Sequence, residues 1–196
     1  MVHEAEHGFV SRGGLKLQAA LDAFGLDVNG FVCADLGCNV GGFTDCLLQR
    51  GARHVHAVDT GYGALAWKLR SDPRVTVMER TNALHLEPPV TGIDLVVIDL
   101  AWTKQSHAIP AALRWKPRRI ITLIKPHYET SQTQRGILTD EQAAVVTAQV
   151  LADMTKLGVQ VIADVASPIR GGAGKGKAGN MEHLAMVEPI EAGRGD

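Results

Sequence analysis

The sequence predicts an α/β domain, a mostly parallel sheet with helices on both faces. Apolar stretches of strand length alternate with helix-period segments from residue 31 to residue 165. The stretch 93–98 is apolar at almost every position, as befits a central parallel strand covered on both sides. Four stretches also end on a charged residue: Asp35, Asp59, Asp99 and Lys125. The carboxyl ends of parallel strands share one rim, where ligands bind, so these four side chains are expected in one cleft.

In chain order, Ser11 is expected to cap a helix whose Leu17, Leu21 and Phe24 form an apolar stripe and which Gly25 ends, with Lys16 beside the stripe. The first strand ends at Asp35 and feeds a glycine-rich turn and a helix that stops at Gly51. A strand over 54–59 follows, then a turn at Gly61 to Gly63, a short helix around Leu65, Trp67 and Leu69, and a strand over 75–78. After the central strand comes a helix around 109–115, in which Pro110 is tolerable only near the first turn. A strand over 120–124 precedes an amphipathic helix that starts near Asp140, turns Val146, Val150, Met154 and Leu157 to one face, and ends at Gly158. The sixth strand covers 159–165, a glycine-rich loop spans 171–179, and the seventh strand covers 184–187. With 196 residues, 45% of them hydrophobic, the chain can fill one substantial core. A single domain over 9–191 is expected between tails at 1–8 and 192–196.

The turn after the first strand, DLGCNVGGFTDCLL over 35–48, is the ligand-binding elbow. Gly37, Gly41 and Gly42 allow a sharp turn and close approach of the backbone, and Asp35 supplies a carboxylate that either touches the ligand directly or only fixes the loop. Asn39 stands where the dinucleotide fingerprint has the glycine that admits a pyrophosphate. A ligand without pyrophosphate fits better, S-adenosylmethionine being the common one; a tight strand-to-helix turn with no ligand is the plain alternative. Asp59, about twenty residues beyond the turn, sits where a carboxylate meets a ribose diol, and residues 79–83 leave the third strand at the same edge, within reach of an adenine.

Composition removes several classes of function. Charges balance at a formal net of -1, so no global basic field holds a nucleic acid. The three cysteines, Cys33, Cys38 and Cys46, lack a C-x-x-C pair, and the eight histidines show no metal spacing. Free thiols in a reducing cytoplasm are expected, with no metal. No apolar run approaches the ~18 residues of a membrane span, and the first residues carry no leader, so a soluble, cytoplasmic protein is expected. Lys125, at the end of a buried strand, needs a partner; Asp99 is the obvious one, either as a structural ion pair or as part of a catalytic group.

Seven separated motifs, in order, carry a family resemblance: SRGGLKL (11–17), DLGCNVGGFTDCLLQRGA, AVDTGYGALAWKLRSDPRV, ERTNA, IDLVVIDL, LIKPHYE, and SPIR with GNMEHL. Together they resemble the TlyA group of FtsJ-like methyltransferases. The resemblance implies a Rossmann-like class I methyltransferase fold with a seven-stranded sheet. It also implies S-adenosylmethionine as cofactor and transfer of a methyl group to ribose 2′-hydroxyls of ribosomal RNA. The Lys-Asp-Lys-Glu tetrad of the class carries over to Lys16, Asp99, Lys125 and Glu182. The cofactor would be held by Asp35, Gly37, Cys38, Asn39, Gly41, Gly42, Phe43, Asp59, Thr60, Asn82, Ala83 and Asp99. Two roles are open for Lys125, a base for the hydroxyl proton or a cation that steers the oxygen and stabilises developing alkoxide.

The group usually carries a small N-terminal RNA-binding domain. Only about eight residues precede the match, so recruitment through an accessory RNA-binding partner is expected. Where relatives have Val-Ser-Phe after the aspartate, this chain has Leu-Ala-Trp, and Trp102 either stacks on a base or joins the core. The loop before Glu182 is longer than usual, which leaves Glu188 as a weaker candidate for the same role. That loop begins a phosphate-loop pattern, Gly171 to Gly176-Lys177, but Ala178 replaces the magnesium-binding hydroxyl. Arg170, Lys175, Lys177 and the cluster Arg114, Lys116, Arg118 and Arg119 can contact RNA phosphates or stand on a solvated surface; His127 and His183 can line the site. Three other readings stay open: a catalytically silent RNA-binding or ribosome-assembly protein, a small-molecule methyltransferase, and a membrane-active haemolysin, against which stands the lack of a span or strongly basic amphipathic helix.

Overall fold

The computed structural model describes residues 8–130, 138–171 and 179–190. Its centre is a seven-stranded sheet in the order β3-β2-β1-β4-β5-β7-β6. The strands are β1 (Val32–Leu36), β2 (His54–Val58), β3 (Val75–Met78), β4 (Leu95–Ile98), β5 (Arg119–Ile124), β6 (Val159–Ala166) and β7 (His183–Pro189). Every pairing is parallel except those of β7, which runs antiparallel to both β5 and β6. The helices are α1 (Gly13–Phe24), α2 (Gly42–Gln49), α3 (Trp67–Arg70), α4 (Gln105–Leu113), α5 (Pro126–Glu129) and α6 (Asp140–Asp153).

Alternation along the strands divides the core into two layers, one on each face. Cys33, Leu95, Val97, Ile121, Leu123 and Leu184 pack with Leu17 and Leu21 of α1 and Phe43 and Leu47 of α2. Ala34, Val96, Ile98, Ile120 and Ala185 turn the other way, onto Ala108, Ile109 and Ala112 of α4 together with Trp115 and Met154. Successive strand residues point to opposite faces, which is why Leu95–Ile98 is apolar at every position.

Local details differ from the sequence reading. Ser11 does not cap α1: Arg12 holds that position without a side-chain cap, and Ser11 uses its main-chain carbonyl to accept from Gly14. Its hydroxyl is packed instead against α2, only 2.3 Å from where a Cβ on Gly42 would stand. α1 ends at Gly25 in the left-handed conformation, as expected. Pro110 lies inside α4, beyond the first turn, because α4 begins earlier than the apolar pattern suggested. Thr139, one residue before Asp140, caps α6 in a reciprocal box with Gln142.

Candidate active site

The rim at the carboxyl ends of the parallel strands holds two adjoining cavities. One, of about 240 Å³, is lined by Ser11, Arg12 and Lys16, by Gly37 to Val40, Gly42 and Phe43 of the elbow, by Asp99, and by Ile169 to Gly171, whereas Gly41 faces Leu65 and Leu69. The other, of about 400 Å³, is lined by Asp59 and Thr60, by Thr81 to Leu84, and by Asp99 to Thr103. Gly37, Asn39 and Asp99 border both, so the elbow is the partition between them.

The elbow has the shape its sequence required. Gly37 (φ 93°), Asn39 (φ 48°) and Gly41 (φ 102°) all lie in the left-handed region. The N–H groups of Gly37 and Cys38 both donate to the carbonyl of Val58, at 2.9 and 3.1 Å, which pins the turn to the end of β2. A Cβ on Gly37 would stand 2.6 Å from the carbonyl oxygen of Asp99, so only glycine lets the strands after β1 and β4 close on each other. Asp59 Oδ2 accepts from the N–H of Asn39 at 2.9 Å and Oδ1 from that of Gly61 at 2.7 Å. Its carboxylate thereby orders both walls while it borders the second cavity. Asn82 Oδ1 accepts from the N–H of Leu84 at 2.9 Å, holding the loop that carries Ala83.

Asp35 is placed differently from the reading of it as a strand-end ligand. It lies within β1, fully buried, and Thr44 of α2 occupies its Oδ2. It borders neither cavity and fixes the elbow from below.

Two ion pairs meet beyond the ends of β4 and β5 and the start of β7. Lys125 Nζ stands 2.5 Å from Asp99 Oδ1 and donates to the carbonyl of Leu100 at 3.1 Å. Lys16 Nζ pairs with Glu182 Oε2, and the Glu182 side chain is almost wholly buried. The register explains the meeting: Ile124 at the end of β5 pairs with His183 at the start of β7, so Lys125 and Glu182 emerge side by side. Tyr128 closes this corner, its ring 5.8 Å from Lys125 Nζ. Burial together with the Glu182 and Asp99 carboxylates raises its phenol above the ordinary range.

Several expectations are corrected here. Trp102 is not a core residue: it is 79% exposed at the mouth of the second cavity, at φ 57°, with its ring centroid 4.9 Å from that of Tyr128. Glu188 pairs with Arg119 at the start of β5, on the rim opposite the cleft, because β7 has crossed the sheet by then. Lys116, Arg118 and Arg119 belong to that far rim as well, and Arg118 faces Asp94 at 3.7 Å. Arg114 is spent on the carbonyls of Leu86 and Ala83, at 3.1 and 2.9 Å. His183 bonds Asp164 at 2.6 Å, and His127 packs on Tyr128, where burial and Lys125 lower its pKa. Lys175, Gly176, Lys177 and Ala178 lie outside the described residues. Among the described residues no cluster of side chains could hold a metal, and no helix is long and apolar enough to cross a membrane. Arg12, which nothing in the sequence singles out, and Arg170, expected as an RNA-phosphate contact or a solvated charge, both line the first cavity.

Residues 9–176 match the model of the FtsJ-like methyltransferase family. The chain belongs to that family. It is 42% identical to the 16S/23S rRNA (cytidine-2′-O)-methyltransferase TlyA of Mycobacterium tuberculosis (strain ATCC 25618 / H37Rv), over 95% of this chain and 71% of that one. It is 32% identical to Hemolysin A of Brachyspira hyodysenteriae, over 90% and 75%. Among solved structures, one described as "Putative hemolysin from Streptococcus thermophilus" superposes with a TM-score of 0.85 at 36% identity, covering 93% of this chain and 68% of that one. The same Rossmann-like fold is seen in solved S-adenosylmethionine-dependent methyltransferases, among them one from Listeria monocytogenes that superposes with a TM-score of 0.63 at 15% identity. The site fits S-adenosylmethionine: a partition of close-approach glycines, a carboxylate at the end of β2, and a second cavity of about 400 Å³, inside the roughly 300–1,000 Å³ typical of small-ligand sites.

Proposed function

We propose that this FtsJ-like methyltransferase methylates the 2′-hydroxyl of a ribose in RNA, with ribosomal RNA as the substrate, through Lys16, Asp99, Lys125 and Glu182. The observation that carries the reading is the convergence of the Lys125–Asp99 and Lys16–Glu182 pairs beside a cofactor partition that Asp99 itself borders. The activity of the M. tuberculosis relative, cytidine-2′-O-methylation of ribosomal RNA, supports the substrate class.

Bound across the elbow, S-adenosylmethionine supplies an activated methyl group on a sulfonium. The residues of this chain then have to orient a poor nucleophile and accommodate the charge it develops. An ammonium has three N–H donors, of which Asp99 and Leu100 take two on Lys125. The third is assigned to the substrate oxygen, which makes Lys125 the cation that steers the hydroxyl and stabilises alkoxide, while the hydroxyl proton is released to water as the oxygen–methyl bond forms and the sulfur–methyl bond breaks. Asp99 fixes the direction of that ammonium, and Glu182 does the same for Lys16. Trp102, exposed and stacked on Tyr128 at the mouth, offers a face to a base of the substrate.

The test is a methyl-transfer assay with labelled S-adenosylmethionine and ribosomal RNA, free and in subunits, with the product nucleotide mapped by mass spectrometry. Lys125→Met is expected to lose at least about 100-fold in rate while donor affinity stays within a few-fold, and Asp99→Asn to lose as much in rate. Wild-type turnover by Lys125→Met, or label on a base instead of a ribose, overturns the reading.

A further inference from the structure

Gly171 begins the connection that leads from β6 to Glu182. It forms an antiparallel bridge with Asn180, its N–H donating to the Asn180 carbonyl at 3.0 Å and its carbonyl accepting from Asn180 at 2.9 Å. Its φ lies outside the left-handed region, so the backbone itself does not call for glycine here. What calls for it is space. A Cβ at this position would lie 1.8 Å from Glu182 Oε1 and 2.3 Å from its Cδ.

The surrounding main chain cannot retreat easily. Arg170 holds both oxygens of Asp140, at the start of α6, at 2.8 and 2.7 Å, and also donates to the Gly179 carbonyl at 3.4 Å. Asn180 Oδ1 accepts from the N–H of Leu138 at 3.3 Å, and the Glu182 carbonyl accepts from Ser167 at 2.9 Å. With main chain tethered on both sides, the part free to yield is the end of the Glu182 side chain, the group that meets Lys16.

We propose that Gly171 is a positioning residue: its missing side chain is the space that lets the Glu182 carboxylate reach Lys16. This rests on the assignment of Lys16 and Glu182 to the acceptor side. Gly171 touches no reacting atom; it acts through Glu182. A methyl group at 171 turns the carboxylate off Lys16 and leaves an ammonium at the acceptor corner without its orienting partner, while the cofactor elbow is untouched.

The experiment compares Gly171→Ala, Glu182→Gln and the double variant with wild type in kcat, donor Kd and Tm. Gly171→Ala is expected to lower kcat by about 100-fold, the scale of a 1 Å misplacement, with donor Kd within a few-fold and Tm lowered no further than in Glu182→Gln, which weakens the same buried pair. The double variant is expected to be no slower than the slower single variant, since both changes remove one contact. Full turnover by Glu182→Gln overturns the tetrad assignment and the inference built on it. Impaired Glu182→Gln beside a fully active Gly171→Ala overturns the inference alone. So does a Gly171→Ala protein that fails to fold, or losses that multiply in the double variant.

Discussion

Asp35 accepts two hydrogen bonds from Thr44 on a single oxygen: the main-chain N–H at 2.9 Å and the hydroxyl at 2.7 Å both reach Oδ2, while the buried Oδ1 has no protein partner among the described residues. The sheet and the helix after the elbow are joined at this point. Burial pushes the carboxyl up from 3.8 to about 7, opposed by the Thr44 bonds and assisted by the charges of Asp99 and Asp59.

That shift makes stability fall as pH rises. The folded state keeps its proton up to about 7 and the unfolded chain releases it near 3.8, so the folded state binds more protons between those values. The contribution is fully present below the lower value and lost through the upper one, on the order of 4 kcal/mol. Asp35→Asn keeps an oxygen for Thr44 and removes the titration. Urea unfolding followed from about pH 5 to about pH 8 is expected to show wild type losing stability relative to the Asn variant; parallel profiles contradict it.

His56 has the opposite sign. Buried against Trp115 at 5.5 Å, it is pushed down from 6.5 to about 4 by burial and by His54. The folded state therefore binds fewer protons between those values, and its contribution, roughly 3 kcal/mol, is present above 6.5 and lost as pH falls towards 4. His56→Phe is expected to unfold at lower pH than wild type in an acid titration followed by circular dichroism.

Gly37→Ala combines two costs. A left-handed φ charges an alanine about 1–2 kcal/mol, and the 2.6 Å approach to the Asp99 carbonyl forces β4 away from the elbow. A loss of about 3 kcal/mol in denaturant unfolding is expected, together with weakened donor binding by calorimetry. Wild-type values for both would show that the partition does not depend on this contact.

Arg114 distinguishes an anchor from a phosphate contact. Its bonds to Leu86 and Ala83 hold the wall of the second cavity, and charge-assisted bonds of this kind contribute about 1.5–3 kcal/mol. Arg114→Met is expected to weaken donor affinity by about 10-fold or more and to leave the salt dependence of RNA binding unchanged. A shallower salt slope with intact donor binding would restore the reading of it as an RNA contact.

The architecture and most of the cleft were legible because their causes are local in sequence. An apolar run closed by a charge marks a buried strand reaching a rim, and Asp59, Asp99 and Lys125 all stand where that rule placed them. Asp35 fell one residue inside its strand, where pleating decides between ligand and core. The reach of Arg114 back to Ala83, the exposure of Trp102 and the contact of Gly171 with Glu182 depend on elements far apart in the chain, and nothing in their neighbouring residues records them. Ser11 was read as a cap from residue type alone, and the tight approach of α1 to α2 gave its hydroxyl another task.

β7 enters the sheet between two strands that were already made, and Glu182 stands at its first end, 166 residues after Lys16. For a chain emerging during synthesis, the cofactor elbow and its β1–β4 neighbours are complete long before the acceptor corner exists. Nascent chains that can hold the donor therefore lack the Glu182 carboxylate, and the corner closes only when the last strand docks between β5 and β6.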